Sequence, residues 1–167
     1  MPAVHRNTEP VAVVTSSIVE RLKQDAETAP FRRSRLNLHR SDDSLLHEMI
    51  IAFCKDSLVC PHRHCGKSES FHVIEGELEV VFFDDEGNVD NIIRLAEPGR
   101  EHPSIYRLSE PLWHSVVILS DKAVVHEVTL GPFDSSEHNE ASWAPYDDDE
   151  LRSWLADRIS EFRQKAP

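Results

Sequence analysis

Between Ser44 and Leu130 the chain is a succession of short apolar runs, each of strand length and each cut off by residues that favour turns. The runs cover residues 45–54, 58–64, 69–75, 78–83, 89–95, 105–108, 112–119 and 123–130. Between them stand Gly76, Asp84-Asp85-Glu86-Gly87-Asn88, Pro98-Gly99 and Ser120-Asp121-Lys122. Strands this short cannot each bury an apolar face alone, so the pattern predicts an all-β sandwich or barrel. Gly76 is expected to lead a tight return between Glu75 and Glu77, and residues 84–88 to form a hairpin loop. Some runs are apolar on both faces. Leu78, Val80 and Phe82 face one way and Val81 and Phe83 the other, so something must cover the second face. Terminal helices can supply part of that cover, and a second copy of the chain, in a homodimer, the remainder.

The helices flank the β region. Ser17-Ile18-Val19-Glu20 matches a capping box, and Ile18, Leu22 and Ala26 then recur at helical spacing until Pro30 stops the run. Near the other end, Asp147, Asp148, Asp149 and Glu150 suit a helix N-terminus, and Leu151, Trp154, Leu155, Ile159 and Phe162 make one apolar stripe. The first dozen residues read as an arm or a pairing strand. The expected organisation is one domain: residues 1–43 as arm, helix and basic connector, 44–130 as the β-barrel, and 131–167 as a loop and an amphipathic helix packed on the barrel.

Composition narrows the function classes. With 167 residues the chain can bury one sizeable core. Its formal net charge of −12 opposes binding to nucleic acid or to an anionic membrane. No apolar run approaches the roughly 18 residues of a membrane span, and no secretory signal pattern is present, so a cytoplasmic location is expected. Cys54, Cys60 and Cys65 cannot all pair and read as reduced thiols. Cys60 and Cys65 bracket two histidines, which makes a thiolate ligand conceivable. A small, buried apolar role is the simpler reading.

Those histidines open the most specific pattern in the chain, His62-x-His64-x4-Glu69-x6-Gly76. Side chains two apart on a strand share a face, so His62 and His64 form a pincer for a metal ion. Glu69 has the wrong parity on an uninterrupted strand, but the turn-like Cys65-Gly66-Lys67-Ser68 can re-aim it. His114, in a later apolar run, is the candidate fourth ligand. His72 lies at odd spacing from Glu69 and is expected on the opposite face. Of His126 and Glu127, parity allows only one to face inward. Arg33, Arg35, Asn37 and His39 alternate in the only concentrated stretch of positive charge. Such a stretch can grip a carboxylate or phosphate, or form a solvated turn paired with surface acids.

The first motif resembles the first conserved motif of the cupin superfamily, and Pro111-Leu112-Trp113-His114 resembles the second. Departures are Asp56 where a glycine usually opens the first motif, Pro111 at the glycine of the second, and Ile118 in place of its closing asparagine. The resemblance implies a double-stranded β-helix, or jelly-roll barrel, with flanking N- and C-terminal α-helices, holding one metal between His62, His64, Glu69 and His114. Arg35-Leu36-Asn37-Leu38-His39, residues 57–64, Phe83-Asp84-Asp85-Glu86-Gly87 and Trp143-Ala144-Pro145 together resemble the WbuC family of cupin-fold metalloproteins. That family is often encoded among surface-polysaccharide and O-antigen genes, which implies a sugar or nucleotide-sugar ligand.

Three imidazoles and a carboxylate suit a divalent Fe, Mn, Ni or Zn ion and leave positions for substrate or water. The expectation is a mononuclear metal-dependent enzyme, isomerase- or epimerase-like, acting on a small sugar or sugar nucleotide, with Arg33, Arg35, Asn37 and His39 as substrate-binding residues. The alternatives are an Fe(II) dioxygenase of a small organic substrate, a non-enzymatic sensor or carbohydrate-binding protein, and a structural fold with a vestigial site.

Overall fold

A computed structural model describes residues 3–134 and 138–165. The element order is β1 (Ala3–Arg6), α1 (Ser16–Thr28), β2 (Arg33–Asn37), β3 (Leu46–Cys54), β4 (His62–His64), β5 (Glu69–Glu75), β6 (Glu77–Phe83), β7 (Val89–Ala96), β8 (Ile105–Leu108), β9 (Trp113–Ile118), β10 (Lys122–Leu130), β11 (His138–Glu140) and α2 (Asp148–Lys165). The ends of the expected outer segments, residues 1–2, 135–137 and 166–167, lie outside the described residues.

The strands form two sheets, β1-β2-β3-β10-β5-β8 and β11-β4-β9-β6-β7. From β3 to β10 the chain supplies four strands to each sheet. The resulting orders, β3-β10-β5-β8 and β4-β9-β6-β7, are those of a jelly roll. Pairing is antiparallel except that β1 runs parallel to β2 at the edge of the first sheet.

Alternation along the strands explains the layers. Met49, Ile51 and Phe53 of β3 and Leu78, Val80 and Phe82 of β6 point into the barrel, where they meet Phe71, Val73, Leu95, Val116 and Val125. The opposite faces are capped by helices. Val19, Leu22 and Ala26 of α1 cover Ile50, Ala52 and Cys54 of β3 and Val124 of β10. On the other sheet Val81 and Phe83 are covered by Leu151, Leu155 and Ile159 of α2, with Trp113, Trp143 and Trp154 filling the edge of that cluster. Each aliphatic side chain buried in this way contributes about 1.5–3 kcal/mol. Glu79, on the same outer face and 5% exposed, receives two hydrogen bonds from Arg163 of α2, at 2.6 and 2.7 Å.

Four sequence expectations are corrected. The cap of α1 is Thr15, not Ser17: Thr15 has extended backbone and its Oγ1 accepts from the Ile18 N–H, while Ser17 is already helical. Gly76 does not lead a return within one sheet. Its neighbours β5 and β6 belong to different sheets, so it turns a corner between them, at φ +81°. Residues 33–37, expected within a connector, form β2, antiparallel to β3. The 58–64 run narrows to the three residues of β4, preceded by Pro61, which has no N–H for a ladder.

Candidate metal centre

β4 and β9 are paired with His62 directly opposite His114, so both imidazoles leave the same face of the sheet, towards the barrel interior. His64 follows two residues later on that face. The ring centroids lie 4.4 Å (His62 to His114), 4.9 Å (His62 to His64) and 5.8 Å (His64 to His114) apart. One nitrogen from each of the three lies within 4.8 Å of the others.

Glu69 reaches the same place from the opposite sheet. β4 and β5 are not one bent strand: residues 65–68 cross from the second sheet to the first, so parity along the sequence does not govern Glu69. Its Oε1 lies 3.2 Å from His114 Nε2 and its Oε2 3.4 Å from His64 Nε2. The Tyr106 hydroxyl donates to Oε1 at 2.5 Å. Glu69 is 4% exposed and His114 1%.

The electrostatics follow from this burial. Burial alone would raise the Glu69 pKa, but the contacts with His114, His64 and Tyr106 overcome it and hold the carboxyl well below its ordinary range. Burial, with His114 adding to it, pushes His62 down to about 3, so this imidazole is neutral at physiological pH. Burial lowers His114 as well, yet the Glu69 carboxylate more than offsets it and the net shift is upward. Tyr106 is raised by burial and by Glu69, so it remains a phenol that donates.

These residues fit a divalent ion. The Nδ1 atoms of His62 and His114 lie 2.9 Å from the Cys60 and Leu112 carbonyl oxygens. A carbonyl only accepts, so each Nδ1 carries the hydrogen and each Nε2 is left for a metal; backbone partners of this kind fix the tautomer of metal-binding histidines. Cys60 is not part of the cluster, and burial raises its thiol pKa, which disfavours the thiolate. Cys54 is packed beneath α1, and Cys65 is exposed. All three are unpaired.

The cluster forms one wall of a cavity of about 550 Å³, within the range of small-molecule sites. Arg33, Arg35, Asn37 and His39 all line it. His39 is the most committed of the four: its Nδ1 lies within hydrogen-bond distance of the Glu48 backbone, 3.1 Å from the carbonyl oxygen and 3.2 Å from the nitrogen, and its ring stacks on His47 at 4.0 Å. Glu127 lines the cavity too, because it stands opposite Met49 and Phe71, which both face the interior. His126 has the other parity. Burial and the nearby Glu69 push the Glu127 carboxyl up to about 8. His72 is absent from the cavity lining, being paired with His126 on the outward face.

Tyr106 is the site residue that the sequence reading missed. The signal was available in Ile105-Tyr106-Arg107-Leu108, where Tyr106 and Leu108 share the inward face and only Tyr106 brings a polar tip.

A jelly roll with two helices outside and inward-facing histidines on paired strands of one sheet decides the architecture. The chain has the cupin fold. Over residues 14–95 it matches the model of a family described as a domain of unknown function, DUF6016. That span includes three of the four clustered residues and ends before His114. No curated protein matches the chain. Among solved structures, this cupin fold is similar to CapF, determined with the inhibitor 3-isopropenyl-tropolone, at 18% identity and TM-score 0.53, over 68% of this chain and 32% of that one. It is also similar to the conserved protein SPY1581 from Streptococcus pyogenes, at 12% identity and TM-score 0.52, over 78% and 96%. The cupin domain of Schizosaccharomyces pombe Cnp3 aligns at 13% identity and TM-score 0.46, over 64% and 68%. At such identities the likeness is one of fold. No helix among the described residues is long and apolar enough to cross a membrane.

Proposed function

We propose that this cupin-fold chain is a mononuclear metalloprotein in which His62, His64, Glu69 and His114 hold one divalent Fe, Mn, Ni or Zn ion, and that it is an enzyme acting on a small sugar or sugar nucleotide. The observation that carries the reading is the convergence of three imidazoles, two with Nδ1 tied to a backbone carbonyl, on one wall of a small-molecule cavity. When bound, the ion supplies Lewis acidity towards a substrate oxygen. The chain's own residues do the rest. Tyr106 fixes Glu69 by hydrogen bonding, and His62 stays neutral because it is buried. Glu127, whose carboxyl pKa is raised by burial, lines the same cavity and is placed to hold or release a proton there. The resemblance of residues 57–64, 83–87 and 143–145 to the WbuC family supports a role in surface-polysaccharide or O-antigen biosynthesis. The unpaired cysteines suit a reducing, cytoplasmic setting.

The test is turnover by metal-loaded protein of a panel of sugars and sugar nucleotides, followed by NMR, with oxygen uptake recorded in parallel. Product formation that disappears in His64→Ala supports the enzyme, and stoichiometric oxygen uptake would identify it as a dioxygenase. Saturable binding without turnover would replace the enzyme with a binding protein. No binding and no turnover of any member would contradict the sugar assignment.

A further inference from the structure

The partly buried arginines of this chain divide into two groups. Arg32, Arg63 and Arg158 each pair with a carboxylate, of Asp56, Asp85 and Glu161. Arg33 and Arg35 pair with none among the described residues, in a chain that carries 30 acidic side chains against 18 basic ones. Those two are the ones that line the cavity.

Strand register puts them there. Arg33, Arg35 and Asn37 stand opposite Phe53, Ile51 and Met49, whose side chains lie in the barrel core. Alternate residues of β2 therefore prolong the interior wall, while Ser34 turns the other way and donates to the Leu22 carbonyl of α1 at 2.6 Å. The inward face of β2 is polar where that of β3 is apolar. Arg35 Nε and Asn37 Oδ1 are both buried without a hydrogen-bond partner, and Asn37 is only 2% exposed. Buried polar groups are rarely left unpaired, because each forfeits its hydration.

Glu127 is a cavity carboxyl that feels both arginines electrostatically, yet no hydrogen bond or ion pair joins it to either among the described residues. Two guanidinium groups on one wall of the cavity thus have no ion-pair partner among the described residues. A guanidinium presents a planar fork of N–H donors that matches a carboxylate or phosphate. An amide both donates and accepts, which is the pattern that complements a hydroxyl group.

We infer that Arg33, Arg35 and Asn37 form a subsite for a polyhydroxylated anion, a sugar bearing a carboxylate or a phosphate, with the charged group on the two arginines and a hydroxyl group on Asn37. The inference deepens the proposed function and rests on its reading that a small oxygen-rich molecule occupies this cavity. It excludes a neutral sugar as the preferred ligand. It also gives β2 a role beyond sheet extension, since the strand carries the anion site while β4 and β9 carry the metal site.

Calorimetric titration of metal-loaded protein with glucose, gluconate and glucose 6-phosphate tests this. One of the two anions should bind at least about tenfold more tightly than glucose, and Arg33→Gln and Arg35→Gln should each weaken that anion by about tenfold. Metal content and the circular dichroism spectrum should be unchanged. The stronger of the two anions identifies the charged group as carboxylate or phosphate. Inorganic phosphate competition against the wild-type protein supplies the same readout if an arginine variant fails to fold. Equal affinity for glucose and both anions, no binding of any of the three, or undiminished anion binding in folded Arg33→Gln and Arg35→Gln proteins would overturn the subsite. Repeating the titration after chelation separates this claim from the metal reading. Anion preference that survives in a protein never able to take up metal sinks the metal centre alone, whereas lost preference with full metal content sinks the subsite alone.

Discussion

His62 and His114 face each other across β4 and β9 with ring centroids 4.4 Å apart, although 51 positions separate them along the chain, and each spends its Nδ1 hydrogen on a backbone carbonyl two residues before it. The same local device, used on two paired strands, aims two Nε2 atoms into one cavity. Glu69 closes the arrangement from the other sheet, so the site pins the two halves of the barrel together.

Tyr106→Phe removes the hydroxyl that donates to Glu69 while keeping the ring that packs edge-on against Phe71. A buried carboxylate would lose one of its partners, at a cost of about 1–3 kcal/mol. Urea denaturation of metal-free protein should show that loss. Competition with a chelator should show metal affinity reduced by about 10–100-fold, the usual effect of removing a group that orients a ligand. Unchanged values in both measurements would mean that Tyr106 does not orient Glu69.

Glu127 predicts a specific pH dependence for the metal-free protein. Its folded-state pKa of about 8 lies above the ordinary carboxyl value of 4.5. Between those values the unfolded chain gives up the proton and the folded chain keeps it, so folding stability falls as pH rises through this window. Glu127→Gln holds the position neutral in both states. Denaturation midpoints measured from pH 4.5 to 8 should therefore decline more steeply for wild type than for Glu127→Gln, and parallel curves would rule out the raised pKa.

Gly76 sits at the corner between the two sheets with φ +81°, and a Cβ there would meet the Lys122 carbonyl oxygen at 2.3 Å. Neither the backbone angle nor the neighbouring main chain can yield cheaply. Gly76→Ala is expected to cost about 1–3 kcal/mol through strain at this position, with more from the clash. Thermal melting measures it, and a melting temperature equal to that of the wild type would show that the corner can relax.

Much of this architecture was legible in the residues. The runs 69–75 and 105–108 coincide with β5 and β8, and the two-faced apolar pattern of β6 announced a layer on each side of its sheet. Which sheet each strand joins was not legible, because that depends on pairing between distant segments. For this reason parity along the chain could not show that Glu69 approaches from a different sheet, though the turn over residues 65–68 reads as re-aiming it, and Gly76 reads as a tight return rather than a corner between sheets. β2 was hidden by its chemistry: its inward residues are arginine and asparagine because they line a cavity, and a strand with a polar inner face resembles a connector. Thr15 was overlooked as the helix cap because Ser17 offered a better-known pattern two residues later.

Whether His62, His64, Glu69 and His114 hold an ion is decided by metal content, measured by mass spectrometry on protein purified without a nickel column. Close to one divalent transition metal per chain is expected in the wild type, with nearly complete loss in folded His62→Ala and His114→Ala proteins. A full complement of metal in both variants, or none in the wild type after incubation with Fe(II), Mn(II), Ni(II) and Zn(II), would contradict it.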